Sequence, residues 1–96
     1  LELEEALAGA YESYRNSRTV LALEKRNLES ARVNFSQTSK LYDLGQVTST
    51  QFREAQLNLI RAETNVSTAR YDARLGEIEL DRIAGRLVTT AKAASN

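Results

Sequence analysis

Asp43-Leu44-Gly45-Gln46-Val47-Thr48-Ser49 is the stretch that decides the fold, because a helix end and a helix start fall within it. Gly45 suits the residue just past a helix C-terminus, where the chain must turn left-handed and only glycine does so without steric cost. Thr48 suits the N-cap of a second helix. Gln51, three residues on, completes a capping box in which each side chain serves the other's backbone N–H. Val47 before the cap and Phe52 at the fourth helical position can form a hydrophobic staple. The stretch therefore reads as a turn over 44–48 between two helices, 1–43 and 49–87.

Working outward, each arm carries a seven-residue column. The first holds Leu7, Tyr14, Leu21, Leu28, Phe35 and Tyr42; the second holds Phe52, Leu59, Val66, Ala73, Leu80 and Leu87. A helix of 3.6 residues per turn keeps such a column on one face only by winding against a partner. Zero Pro and only four Gly in 96 residues leave both arms unbroken. The fold class is thus all-α, a long antiparallel coiled-coil hairpin. Folding about Val47 sets Tyr42 level with Phe52, Phe35 with Leu59, Leu28 with Val66 and Leu21 with Ala73. Tyr14 then meets Leu80, and Leu7 meets Leu87.

Three places after the second column stand Ala55, Ala62, Ala69 and Gly76, then Ile83; small residues once per heptad let a neighbouring backbone come close. The first arm is less uniform there, with Ala10, Ser17, Glu24, Ala31 and Thr38. Leu57, Tyr71 and Ile78 form a second apolar flank on the second arm. A two-stranded hairpin needs one stripe, so a second implies packing against further helices. From Val88 to Asn96 the periodicity ends, and a frayed or disordered tail is expected.

Composition excludes much. Thirteen basic and thirteen acidic residues cancel and are mixed along the chain, which gives no basic face for nucleic acid. With no Cys and no His, thiolate sites and the commonest metal ligand and general base are missing. No apolar run approaches the ~20 residues a membrane-spanning helix needs, and the start of the chain does not read as a signal peptide. A chain opening on Leu1 with no Met reads as part of a longer protein.

Glu2, Glu4 and Glu5, and Glu77, Glu79 and Asp81, are acid clusters, but a rod offers no water-excluding pocket to shift a carboxyl pKa. They read as solvated surface. Glu29 with Arg32 and Glu12 with Arg15 are the best-spaced intrahelical pairs, contributing about 0.2–0.5 kcal/mol each. Four of the six aromatics lie in the columns or beside the turn, where they serve packing. The isolated glycines form no phosphate loop. Neither an enzyme nor a cofactor is expected.

The segment Tyr42-Asp43-Leu44-Gly45, followed by Phe52-Arg53-Glu54-Ala55-Gln56 and Leu59, resembles the tip signature of TolC-like outer-membrane efflux proteins. The continuation through Ala62, Ala69-Arg70-Tyr71-Asp72, Leu75, Leu80 and Ile83-Ala84-Gly85-Arg86-Leu87 resembles the end of the same repeat, the C-terminal of that family's two. The likeness covers Tyr42 to Leu87, and the first arm by length and periodicity. It implies a homotrimer whose hairpins form a hollow helical barrel across the periplasm, topped by a β-barrel in the cell outer membrane. This segment would stay in the periplasm and not itself span the membrane.

On that resemblance the tip, Leu44, Gly45, Gln46, Val47 and Thr48, would dock a periplasmic adaptor protein and through it an inner-membrane transporter. Tyr42 and Glu54 match residues that shape the aperture. Gln51 stands where a second acid can occur and Val47 where a basic partner can, so the latching network of the family is not reproduced. The hairpin of the adaptor itself is the nearest alternative. Its tip pattern of Arg, Leu and Ser would fall on Thr38, Tyr42 and Ser49, and fails at two of three positions. A structural coiled-coil hairpin is the other alternative.

Overall fold

The computed structural model describes residues 2–95 and consists of two helices, α1 (Glu2–Asp43) and α2 (Ser49–Ser95). They lie against each other as a rod of 76 × 15 × 14 Å. No strand occurs among the described residues. The hairpin expected from the two columns is the architecture observed.

The residues shielded from solvent are those of the columns and their offsets. On α1 they include Leu7, Ala10, Tyr14, Ser17, Leu21, Glu24, Leu28, Ala31, Phe35 and Thr38, at alternating spacings of three and four. On α2 the series runs Phe52, Ala55, Leu59, Ala62, Val66, Ala69, Ala73, Gly76, Leu80, Ile83 and Leu87. Such spacing keeps one face toward the partner over the whole rod. Tyr42 departs from its column: it is more exposed than its fellows, because the rod ends there and nothing covers it from above.

Large residues on α1 meet small ones on α2. Leu28 is buried in a cluster with Ala62 and Val66, flanked by Leu21, Ala31 and Leu59. Ala55, Ala69 and Ala73 are buried too, so α2 presents mostly methyl groups to the seam. This lets the helix axes approach, at the cost of a thin core. Full burial of a leucine contributes roughly 1.5–3 kcal/mol, but each shielded methyl only about 0.8 kcal/mol. The expected level of Leu28 with Val66 agrees with this cluster, and that of Tyr42 with Phe52 agrees with their ring contact.

Gly76 marks the closest approach. A Cβ placed on it would lie 3.4 Å from the Cα of Tyr14, whose ring atoms follow at 3.6 Å. Backbone therefore rests on backbone at this rung.

The expected loose tail is corrected. From Val88 the chain continues as helix to Ser95, while Asn96 lies outside the described residues. Loss of periodicity removes a packing partner but does not stop a helix; Ala91 and Ala93 favour it, and no Pro or Gly follows Gly85. Thr89 and Thr90 turn their hydroxyls back to the carbonyls of Gly85 and Arg86, at 2.9 and 3.0 Å. Val88, 61% exposed, shows the seam has ended. The arm is about 70 Å long at 1.5 Å per residue, against roughly 57 Å expected for a helix ending at Arg86.

The rung at Gly76 is testable by size. Gly76→Ala should change unfolding free energy by less than about 1 kcal/mol, since helix propensity offsets the tight fit. Gly76→Leu should lower it by about 1–3 kcal/mol by forcing Tyr14 aside. Urea melts followed by circular dichroism decide; equal effects of Ala and Leu would remove the close-approach argument.

Candidate functional site

The turn forms as its residues dictate. Gly45 has φ +71°, the left-handed conformation that a Cβ disfavours. Its N–H donates to the carbonyl of Tyr42 at 3.0 Å, and the N–H of Gln46 donates to that of Leu41 at 2.8 Å. This pair of bonds is a Schellman closure, which satisfies carbonyls left open at the end of α1. On the other side the N–H of Thr48 donates to Gln51 Oε1 at 2.9 Å, and the N–H of Gln51 donates to Thr48 Oγ1 at 3.1 Å. The capping box is complete. Val47 and Phe52 are both half-buried, as a staple requires.

Beneath the turn three rings stack the two arms together. Tyr42 lies over Phe52 at 4.6 Å between centroids with planes 17° apart, and Phe35 follows at 5.6 Å. Such pairs contribute about 0.5–1.5 kcal/mol beyond their burial. The tip is thus a rigid platform, and it holds out what lies above it. Leu44 is 69% exposed at the summit, with Gly45, Gln46 and Thr48 also open to solvent. Of the five tip residues only Val47 is partly covered.

Tyr42 and Glu54 do not meet in a common site. Tyr42 is committed to the aromatic stack, whereas Glu54 is exposed on the outer side of α2 beside Leu57, Asn58 and Arg61. Their grouping as aperture residues depends on the family likeness alone.

The second apolar flank is present and wider than the sequence reading had it. Leu57, Tyr71 and Ile78 are all exposed on α2, Tyr71 at 65%, and Ile60 and Leu75 join them. Ile60 stands three after Leu57, and Leu75 four after Tyr71 and three before Ile78, so helical neighbours of the three named residues include both. No helix among the described residues covers this stripe.

The ion pairs Arg74–Glu77 and Arg82–Glu79 form, and neither is one expected from spacing. Arg74 meets Glu77 at 3.4 Å and Arg82 meets Glu79 at 2.6 Å, both three residues apart and exposed. Glu29–Arg32 and Glu12–Arg15 have the same spacing and do not close. Spacing permits such a pair, and the rotamers available on a solvated face decide it. The hydrogen bonds from Arg82 hold the Glu79 carboxyl below its ordinary value of 4.5, with the charges of Arg82 and Arg86 adding to the effect. Among the described residues no three His, Cys, Asp or Glu converge to hold a metal ion, and no helix is long and apolar enough to cross a membrane.

The class of protein defined by this geometry is an all-α, antiparallel coiled-coil hairpin with a capped, exposed tip and an uncovered apolar stripe. No family profile, curated protein or solved structure matches the chain.

Two measurements check the site. Gly45→Ala and Thr48→Ala should each lower stability by about 1 kcal/mol without changing helix content at low temperature; a loss below a few tenths would show that the turn does not depend on those bonds. Glu79, with its folded pKa depressed, contributes stability at neutral pH that is lost as pH falls through that depressed value. Its carboxyl carbon should titrate below the ordinary glutamate value by NMR, and Arg82→Leu should bring it back up.

Proposed function

We propose that this hairpin is a periplasmic wall segment of a trimeric, TolC-like outer-membrane efflux or secretion channel, with its tip docking a periplasmic adaptor. The observation that carries the reading is the pairing of two features on one rod. The exposed stripe Leu57, Ile60, Tyr71, Leu75 and Ile78 leaves α2 apolar on a second side, which suits a stave that touches a neighbour on each flank. The rigid tip holds Leu44 and Gln46 out along the axis, where a partner approaching end-on would meet them first.

The likeness of Tyr42-Asp43-Leu44-Gly45 and Phe52-Arg53-Glu54-Ala55-Gln56 to the tip of that family supports the same reading. In it, Leu44 to Thr48 meet the adaptor tip. Tyr42 closes the aperture from beneath through its stack on Phe52, and Glu54 places a carboxylate near the entrance. The hairpin itself does no chemistry; it is a wall and a docking end.

Cysteine placed at Gln46 or Val47 in the full-length parent should crosslink to an adaptor tip in intact cells, while cysteine at Arg53 or Asn58 down the shaft should crosslink far less. Equal yields along the shaft, or none at the tip with every adaptor of the host, would overturn the docking role.

A further inference from the structure

Arg18 and Arg70 each stand four residues after a column member, Tyr14 and Val66. In an antiparallel pair such positions line one edge of the seam, where side chains of the two arms face each other. Both arginines border the same cleft, so they share a rung. Counting one heptad along both arms from them sets Lys25 level with Glu63, and the next rung holds Arg32 and Gln56. One heptad the other way sets Tyr11 level with Glu77. Like charges face each other on this edge at Arg18 and Arg70, and at no other rung.

The cleft is shallow, about 250 Å³, and mostly apolar, with Tyr14, Leu21 and Ala73 as its floor. Gly76 lies just below, where the arms come so close that a Cβ would stand 3.4 Å from the Cα of Tyr14. The floor is therefore fixed by backbone packing. Of the cations at the rim, Arg74 is answered by Glu77 at 3.4 Å. Arg70 makes no ion pair or side-chain hydrogen bond among the described residues, and Arg18 lies over the Tyr14 ring at 5.9 Å. Two positive charges are left over above a carbon-lined floor.

Two guanidinium groups on one rung repel each other, and an anion between them replaces that repulsion with charge-assisted hydrogen bonds. Their planar forks match phosphate oxygens bidentately. A phosphate monoester carries close to two negative charges at neutral pH, which equals the uncompensated charge of Arg18 and Arg70. The floor calls for an uncharged body, and a flat ring suits the face of Tyr14 and the guanidinium planes. Glu77 at the far rim repels a second anionic group, so the ligand bears its charge at one end. We propose that this cleft binds the phosphate monoester of a small aromatic group, with Arg18 and Arg70 holding the phosphate and Tyr14, Leu21 and Ala73 supporting the ring. The site goes beyond the tunnel reading and does not rest on it.

Naphthyl phosphate titrated into this chain, followed by amide NMR, is the test. Shifts should saturate and centre on Ala73 and Gly76. Inorganic phosphate and naphthol, each lacking one half of the probe, should bind about tenfold more weakly or worse. Arg18→Gln with Arg70→Gln should weaken naphthyl phosphate by about tenfold while circular dichroism stays unchanged, since both side chains are exposed. Arg53→Gln, exposed near the tip, should leave binding as it was. Should the double variant lose helicity, Arg70→Lys keeps the charge without the fork and must still weaken binding severalfold. Shifts that never saturate, shifts centred on the apolar stripe at Leu57 and Ile60, naphthol binding as well as its phosphate, or an equal loss with Arg53→Gln would each overturn the site.

Discussion

The seam between α1 and α2 is the interaction on which the rest of the molecule depends. It is narrow, because α2 offers it Ala55, Ala62, Ala69 and Ala73 where a thicker core would carry leucines. Close approach is the return for that thinness: Gly76 lets the backbone of α2 rest near Tyr14. A rod 76 Å long and about 15 Å across has nearly every residue within reach of water, so no side chain is fully enclosed among those described. Such a body buries no charged residue among those described. What it can do is span a distance and present surfaces along its length and at its end.

Those surfaces differ in how they are held. At the tip, a Schellman closure, a capping box, the Tyr42–Phe52 stack and the tilted Phe35–Phe52 contact act within residues 35–52. Rigidity there has a function in the channel reading, since a docking end binds without first having to be ordered. Along the shaft, the apolar stripe of α2 is an open surface that no other helix among the described residues covers.

Glu24 illustrates the tension in a polar seam residue. In the hairpin its Oε2 is shielded and has no hydrogen-bond partner. Polar groups at such positions are best attested as devices that select register or partner at the expense of stability.

How much was legible in the sequence follows from the range of each interaction. The two helices, the turn at 44–48, the capping pair Thr48–Gln51, the role of Gly45 and the level of Leu28 with Val66 depend on local backbone rules or on strict seven-residue spacing. Both are written along the chain. Helix beyond Val88 was not legible from periodicity, because periodicity records packing, and alanine sustains a helix with no partner at all. Which acids pair was not legible either: Glu77 and Glu79 close on Arg74 and Arg82, while equally spaced pairs on α1 stay open. Only the assembled rod decides that Glu24 is left with an unanswered oxygen beside the opposite arm. Both outcomes depend on atoms more than twenty residues apart in sequence, or on rotamers chosen against a solvated face, and no local rule encodes them.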